Sequence, residues 1–408
     1  MLTEDQNKQL TQVSLGTPMG ELLRRYWHPV AAVEELEERP TRPVRIFGES
    51  LVLFKCGEDG YGLIDRYCAH RLTDLAYGDV EDCTLRCPRH GWAYADTGVC
   101  VDQPWEDELV EVSLNAYRAT AKAGMIWVYL GPEPAPLVPD WEPFQWQAGG
   151  LVQVVLSVLH CNWLQCQENT MDGIDMELFE AAFALAQRTG TPPALPEAGF
   201  EYDEFEHGYL VRNTTAGTPP SVTKTSIWPN ALFAGDARSC RLEWRVPMDD
   251  ETTLNLTWFL DRPAAGARVE LPERTPFWYA ETRDDKGEAI KTHRLNQKYA
   301  VWLNQSPIVD RTKEVLLEGD EGVVTFRNKL FSQIQLIEDG AAPKGLIFDP
   351  GQNQRLHLPF TQPVTLPASA EPEDEPTLEF PWLAGQPDEV AAYYRKVAET
   401  WHRPTPDA

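Results

Sequence analysis

The sequence has no long apolar run, since no stretch reaches the roughly 18 consecutive apolar residues that a membrane-spanning helix needs. Basic residues are also few, with 36 Lys and Arg against 63 Asp and Glu, which gives a formal net charge of −27. A nucleic-acid-binding protein needs clustered basic side chains that displace phosphate counterions. The composition therefore argues against nucleic acid and against anionic membrane surfaces as partners. It predicts a solvated acidic surface, with a docking patch for a basic electron-transfer partner as the alternative.

The sequence shows no secretory signal, and it contains few cysteines. The N-terminus lacks a basic segment followed by an apolar one, so a secretory signal is not expected and the protein is predicted to be cytoplasmic. Only eight cysteines and eight histidines occur. In a long cytoplasmic chain, the cysteines predict metal ligands or buried thiols rather than a disulfide framework.

Local patterns divide the chain into three parts. Thr17 followed by Pro18 predicts a helix start, because Thr is a good N-cap and Pro is tolerated at the first helical position. Short β-rich runs then alternate with glycine turns at 50–55, 62–65 and 124–130. A proline-rich connector at 131–139 marks a boundary. We expect an N-terminal helical segment, a β domain and a second domain at 1–41, 42–135 and 136–408.

The second domain mixes helical and strand-like patterns, which predicts an α+β fold. Strand-like runs lie at 151–159, 242–246 and 253–260. Helical patterns lie at 162–187, 313–318 and 388–402, and the last of these places Val390 and Tyr394 on one face.

The residues with the clearest chemistry form two short pairs. Cys68-Ala-His70 is followed, after sixteen residues, by Cys87-Pro-Arg-His90. Two Cys and His pairs on separate loops suit an asymmetric [2Fe–2S] cluster, in which one iron takes two thiolates and the other takes two imidazoles. A tetrahedral zinc site is the alternative that the same donors allow. The spacing, inside a β-rich domain, favours the cluster.

These pairs resemble the Rieske domain of ring-hydroxylating oxygenases. The resemblance extends to the segments 16–29, 162–169 and 307–314, which are similar to phthalate-dioxygenase-like oxygenase α subunits. It implies a Rieske antiparallel β domain joined to an α+β oxygenase domain of helix-grip-like form. It also implies that electrons come from NAD(P)H through an iron–sulfur flavoprotein reductase or a ferredoxin.

The sequence departs from this family where the resemblance implies a mononuclear Fe(II). In the family, two histidines and one aspartate hold that iron. The two histidine positions in the helix that begins near Glu168 are here Asp175 and Glu180, and the aspartate that follows a glutamine is here Lys298. A protonated lysine offers no lone pair to a metal. We therefore expect this chain to lack the mononuclear iron and to keep Asp175, Glu180 and Lys298 as a degenerate site.

The three replaced positions suggest a substitute arrangement of charge. An ammonium about 4 Å from a carboxylate returns on the order of 4 kcal/mol at an effective dielectric of about 20. Lys298 is therefore expected to take the electrostatic place of the metal between Asp175 and Glu180. Three alternatives stay open: unrelated surface charges, a rearranged iron triad of His160 with the two acids, and a carboxylate site for Mg²⁺ or Mn²⁺.

The family residues that this sequence retains, and those that it is expected to lack, together predict the function of the chain. Asp172 is retained, and the resemblance implies that it bridges a cluster histidine of one subunit to the iron site of its neighbour. We expect a non-catalytic, electron-relaying α-type subunit of a multicomponent aromatic-ring oxygenase. It would assemble with a catalytic homologous α subunit as a trimer or hexamer. The alternatives are an active homo-oligomeric mono- or dioxygenase with a rearranged iron site, and a pure scaffold whose cluster is structural.

Overall fold

The computed structural model describes residues 1–58, 60–173, 199–214, 219–263, 269–290, 294–361 and 387–401. The chain begins with two short helices, α1 (Glu4–Thr11) and α2 (Pro18–Leu23). The Thr17 side chain accepts a hydrogen bond from the backbone N–H of Gly20, which confirms the predicted N-cap. No helix among the described residues is long and apolar enough to cross a membrane.

A six-stranded antiparallel sheet forms the framework of the N-terminal region. In chain order, the strands and the helix of this region are β1 (His28–Ala32), α3 (Val33–Glu38), β2 (Thr41–Ile46), β3 (Glu49–Cys56), β4 (Gly60–Asp65), β5 (Asp79–Glu81), β6 (Thr84–Arg86), β7 (Ala93–Ala95), β8 (Cys100–Asp102), β9 (Ala116–Lys122) and β10 (Met125–Tyr129). The order of the six strands in the sheet is β1-β10-β9-β4-β3-β2. Strand β1 therefore belongs to this sheet, although it precedes residue 42, where the β domain is predicted to begin.

The remaining four short strands form a second antiparallel sheet in the order β5-β6-β7-β8. The connection from β4 to β5 carries the first Cys and His pair, and the connection from β6 to β7 carries the second. A core that includes Val52, Leu85 and Tyr94 packs this small sheet against β3 and β4. Both ligand loops are therefore anchored on rigid strands.

The C-terminal region is built on an eight-stranded sheet with helices against it. Its elements are β11 (Leu151–Leu159), α4 (Trp163–Met171), β12 (Phe200–Phe205), β13 (Gly208–Asn213), β14 (Ser221–Ile227), β15 (Ala231–Gly235), β16 (Ser239–Pro247), β17 (Thr253–Asp261), β18 (Phe277–Tyr279), α5 (Arg294–Leu303), α6 (Glu321–Glu338) and α7 (Asp388–Trp401). The strands are arranged in the order β12-β13-β14-β15-β16-β17-β11-β18, and neighbouring strands are antiparallel except β11 and β18, which are parallel.

The two faces of this sheet differ because side chains alternate along each strand. On β16, Leu242, Trp244 and Val246 belong to the main hydrophobic core, where Trp244 meets Trp127 of β10 with ring centroids 5.1 Å apart. The residues between them, Glu243 among them, face the other way. The apolar face thus joins the N-terminal region to the sheet, while the opposite face carries buried polar groups.

The α+β fold class is confirmed, and most predicted strands are found within a few residues of their expected bounds. The predicted helix at 313–318 is wrong. Arg311 and Glu314 are both drawn into ion pairs with buried residues, and a 3₁₀ turn at Glu318–Asp320 precedes the true helix α6. Strand β11 and helix α7 match their predictions closely. The predicted helix at 162–187 begins as α4 but ends at Met171, because Asp172 has an extended backbone conformation, and residues 174–187 lie outside the described residues.

Candidate metal centre

The two ligand loops have the same backbone conformation. In the first, the Cys68 N–H donates to the Thr73 carbonyl at 2.9 Å, and the Cys68 carbonyl accepts from Leu72 at 2.9 Å. In the second, the Cys87 N–H donates to the Trp92 carbonyl at 2.8 Å, and its carbonyl accepts from Gly91 at 3.0 Å. The fourth residue after each cysteine has a positive φ, 54° at Leu72 and 79° at Gly91. The two loops are therefore conformational copies, which suits two halves of one site.

The four ligand side chains converge with sulfur inside and imidazole outside. Cys68 and Cys87 are 1% and 3% exposed, whereas His70 is exposed and His90 is half-buried. The two imidazole rings lie 4.6 Å apart between centroids. His70 also stacks on the Trp92 ring at 4.8 Å with an interplanar angle of 9°.

The protonation state of His90 also favours ligation by its imidazole. Desolvation, with the nearby His70, Arg89 and Arg71, lowers the pKa of His90, so its ring is neutral near pH 7. This donor set fits a [2Fe–2S] cluster whose thiolate-bound iron is buried and whose imidazole-bound iron faces outward.

Tyr94 supports the buried end of the site. Its hydroxyl oxygen accepts a hydrogen bond from the Ala69 N–H at 3.1 Å and lies 3.2 Å from Cys68 Sγ. Because the oxygen already accepts from Ala69, its own proton is free to be donated to the sulfur. Burial raises the pKa of Tyr94, which keeps that proton on the phenol. A donor at a ligand sulfur stabilises its negative charge and raises the reduction potential of a bound cluster.

The predicted absence of disulfides is wrong at one position. Cys56, the last residue of β3, is bonded to Cys83 in the turn between β5 and β6. Positive φ angles at Gly57 and Asp82 turn the two chain segments toward each other, and the Gly57 N–H donates to the Asp82 carbonyl at 3.3 Å. No local sequence signal predicted this meeting, since the residues lie in separate sheets. The other cysteines outside the ligand loops are buried free thiols, namely Cys100, Cys161, Cys166 and Cys240.

Lys298 lies on α5 against the polar face of the large sheet and is only 7% exposed. Among the described residues, it acts electrostatically on Glu243 of β16, which is 1% exposed. Burial opposes ionisation of this carboxyl, but the cations Arg245, Arg241 and Lys298 outweigh burial and hold its pKa below the ordinary value. Arg241 Nε donates to Glu243 Oε1 at 2.6 Å, and Arg245 Nη2 donates to Oε2 at 3.0 Å. Asp175 and Glu180, the other two residues of the predicted degenerate site, lie outside the described residues.

This buried charge cluster was missed in the sequence. Arg241, Glu243 and Arg245 alternate with apolar residues, which reads as a strand with one face in water. Helix α5 instead covers that face, as Tyr299 accepts a hydrogen bond from Asn255 Nδ2 at 2.8 Å. The tertiary structure thus buries side chains whose sequence pattern predicts exposure to solvent.

The remaining candidate histidine is separate from this cluster. His160 is exposed at the end of β11. The rearranged triad that would use it depends on Asp175 and Glu180, which the structure does not describe.

Helix α4, which precedes Asp172 in the chain, is fixed by two sets of cations. Lys224 Nζ donates to the carbonyls of Asn169 at 3.3 Å and Asp172 at 2.8 Å, where a positive charge complements the helix C-terminus. Glu168 accepts from Arg311 Nη2 at 2.8 Å and from Arg327 Nε at 2.6 Å. Burial opposes ionisation of Glu168, yet the two guanidinium groups lower its pKa. The position of Asp172 is thus set by buried charges on neighbouring elements.

A profile of the Rieske [2Fe-2S] domain matches residues 26–117, so fold and ligand loops together define a Rieske iron–sulfur protein. The chain is 42% identical over 372 residues to the 5,5'-dehydrodivanillate O-demethylase oxygenase subunit of Sphingobium sp., a match that covers 88% of this chain and 87% of that protein. It is also 28% identical over 402 residues to the phthalate 4,5-dioxygenase oxygenase subunit of Pseudomonas putida, covering 85% and 89%. The chain belongs to the phthalate-dioxygenase-like Rieske oxygenase α-subunit family.

Solved structures agree with this fold. The structure of NdmA from Pseudomonas putida CBB5 with caffeine superposes with a TM-score of 0.53 at 20% identity. The match covers 78% of this chain and 93% of that one. At this level of identity the likeness extends to the fold alone.

Proposed function

We propose that this chain is a non-catalytic, electron-relaying α-type subunit that assembles with a catalytic homologue carrying mononuclear iron. The observation that carries the proposal is the identity of three residues. Asp175, Glu180 and Lys298 stand where the family has two histidine ligands and one aspartate ligand. A family member that has exchanged its whole donor set no longer needs that iron for its own role.

The electrostatics around Lys298 support this proposal. Among the described residues, Lys298 is one of three cations that act on the buried carboxylate of Glu243, with Arg245 and Arg241. A divalent iron placed a few ångströms from the ammonium of Lys298 would meet repulsion on the order of several kcal/mol at an effective dielectric of about 20. An iron site would need to remove at least the ammonium of Lys298 before it could form. The polar face therefore favours a metal-free, charge-paired pocket.

The Rieske loops keep every group that electron relay requires. Cys68 and Cys87 would hold one iron of the cluster, and His70 and His90 would hold the other. The cluster supplies a one-electron carrier with a potential raised by its neutral imidazole ligands. Tyr94 donates to the Cys68 sulfur, and Trp92 fixes the orientation of His70 by stacking. The exposed imidazole edge is then free to contact a neighbouring subunit.

The proposed assembly assigns a role to Asp172 and a source to the electrons. Asp172, at the end of α4, would face a cluster of the catalytic homologue, in line with the bridging role that the resemblance implies. Electrons would come from NAD(P)H through a flavin and iron–sulfur reductase or a ferredoxin. The demethylase relative favours a methoxylated aromatic compound as the substrate of the catalytic partner.

Iron stoichiometry tests the proposal directly. The full chain, purified alone after anaerobic cluster loading, is expected to hold about two iron atoms with the spectroscopic signature of a Rieske cluster. The matched variant carries Asp175→His, Glu180→His and Lys298→Asp, which rebuilds the family donor set. We expect it to bind additional ferrous iron, to a total of about three. A wild-type chain that holds about three irons would overturn the proposal and reclassify the protein as an oxygenase in its own right.

A further inference from the structure

Exposed apolar side chains are unevenly distributed over the described surface. Twenty large hydrophobic residues are exposed, and eight of them fall between residues 67 and 110, in the Rieske region. Isolated exposed apolar residues are ordinary, but a concentration beside a redox centre marks an interaction surface. Three of the eight lie in one short segment, residues 104–111, which we call the acidic loop. They are Trp105, Leu109 and Val110, and Trp105 is 82% exposed.

The acidic loop is held rigidly. Gln103, which is buried, donates from Nε2 to the Val110 carbonyl and accepts the Val110 N–H at Oε1, both at 2.9 Å. A third bond joins the Glu106 N–H to the Gln103 carbonyl at 3.1 Å. One side-chain amide therefore closes the base of the loop. An exposed tryptophan on a fixed loop costs little conformational entropy when a partner buries it.

The same loop lies directly against the second ligand loop. A Cβ on Gly91, the residue after His90, would approach Pro104 Cγ to 3.1 Å, so the Pro104 ring packs closely against the backbone of the second ligand loop. Arg86 strengthens the junction, because its Nη1 donates to the Gly91 carbonyl at 2.6 Å and to Asp102 at 2.8 Å. A protein bound at Trp105 would thus stand close to the imidazole ligands.

Charge separates this surface from the imidazole edge. The acidic loop contains Glu106, Asp107, Glu108 and Glu111, all exposed, and no Lys or Arg. The imidazole edge is flanked instead by Arg71 and Arg89, which are also exposed and act on His90. The Rieske region therefore presents two neighbouring patches of opposite sign, and surfaces of opposite sign fit different partners.

We propose that the acidic loop is the docking surface of the electron donor. The donor is a redox protein whose exposed cofactor edge combines an apolar contact for Trp105 with a rim of Lys and Arg. The inference deepens the proposed relay function and rests on it. The basic imidazole edge, by contrast, suits an acidic acceptor surface on the neighbouring subunit. A second copy of this chain is a poor occupant for the acidic loop, because the chain carries a net charge of −27.

Binding of a basic redox protein to the oxidised full chain tests the charge of the surface without turnover. The probe is mitochondrial cytochrome c, and the readout is the Kd from calorimetry at about 20 mM and about 200 mM salt. We expect Glu106→Lys/Glu108→Lys to raise the Kd at low salt about tenfold. The matched control, Asp285→Lys/Glu288→Lys, makes the same change in net charge at exposed sites of the C-terminal region and should change the Kd less than about twofold.

Trp105→Ala tests the apolar part of the surface. It should raise the Kd about fivefold and leave the salt dependence unchanged, because no charge is altered. Val315→Ala, at a residue that is 80% exposed outside the Rieske region, is its control and should have no effect. Equal effects of loop and control variants would overturn the proposal, since binding would then follow net charge alone.

A final measurement separates the donor from a subunit contact. The Trp105→Cys variant is labelled with a maleimide in the free chain and in the assembled oxygenase. Fast labelling in both is expected, whereas protection in the assembly would assign the acidic loop to a subunit interface and overturn the inference. Neither result depends on the iron count that tests the proposed function, so the two proposals fail separately.

Discussion

The Rieske loops and the polar face of the large sheet are two clusters of chemically active side chains, and they are organised in different ways. The loops keep Cys68, His70, Cys87 and His90 together with their hydrogen-bond and stacking partners. The polar face holds Lys298 and a buried carboxylate, Glu243, in a cluster of charged side chains. The first region brings together side chains that fit a [2Fe–2S] cluster, and the second pairs a buried carboxylate with cations.

The comparison teaches that the elements around a site can be fixed by contacts separate from the site's own side chains. Helix α4 is held by Glu168 and its two guanidinium partners, Arg311 and Arg327. Those ion pairs fix the helix to α6 and to the segment before it. Buried charges that set a helix position are expensive to remove one at a time, because each leaves an unpaired partner. The position of α4 is thus set by contacts outside both the Rieske loops and the Glu243 cluster.

The largest effect is expected from removing a cluster ligand. Cys87→Ala takes away one of two thiolates and should abolish the visible absorption of the cluster, with loss of both irons, measured by absorbance and metal analysis. Cys100→Ala is the matched control, because Cys100 is also buried in the Rieske region but has no ligand role. Both variants should then be assayed in the assembled oxygenase. Unchanged turnover with Cys87→Ala would favour a scaffold role over electron relay.

The second prediction concerns the charge network of α4. Glu168→Gln leaves Arg311 and Arg327 with one fewer carboxylate in a buried site, and should lower the free energy of unfolding by about 3–5 kcal/mol at pH 7. Urea unfolding measures it. Glu4→Gln is the control, since Glu4 pairs with Lys8 on the solvated surface and should change the free energy of unfolding far less than Glu168→Gln does.

The same pair of variants has a pH signature. The pKa of Glu168 is below its ordinary value of 4.5 in the folded protein, so its contribution is complete above about pH 4.5 and is lost as the pH falls through the folded pKa. The difference between wild type and Glu168→Gln should therefore be largest at neutral pH and shrink in acid. A difference that stays constant from pH 7 to below pH 4 would contradict the ionic role of Glu168.

The sequence predicted the features that are encoded locally. The four ligand residues carry their chemistry in side-chain type and spacing, and the backbone loops of the structure bring them together. Strand β11 is a continuous apolar run, and Thr17 before Pro18 is a local capping signal, so both were predictable from neighbouring residues. The fold class followed from the same periodicities.

The features that the sequence did not predict are set by long-range contacts. The segment around Glu314 has a helical pattern, but its ion pair with Arg327 at 2.6 Å holds it outside a helix. The alternating charges of β16 look solvent-facing until α5 covers them. The bond between Cys56 and Cys83 depends on two turns in different sheets. In each case, the deciding partner is remote in sequence, where periodicity carries no information.

The smallest expected effect concerns the disulfide of the Rieske region, which has no counterpart among the described cysteines of the C-terminal region. Cys56→Ser/Cys83→Ser opens a loop with a sequence separation of 27 residues and should lower the free energy of unfolding by about 2 kcal/mol, because the unfolded chain regains conformational freedom. Because β3 and the small sheet also share the core around Val52 and Leu85, the fold of this region should survive the loss of the bond.

Reduction provides the control for this last comparison. Dithiothreitol should lower the stability of the wild-type chain to that of the double variant and leave the double variant unchanged, with unfolding followed through the cluster absorbance. Cys240→Ser, at a buried thiol of the large sheet, should respond to dithiothreitol like wild type. If reduction leaves wild-type stability unaltered, the covalent link does not contribute to holding the ligand loops. The Rieske region would then depend on its bound cluster and its packing, just as the C-terminal region depends on packing and paired charges.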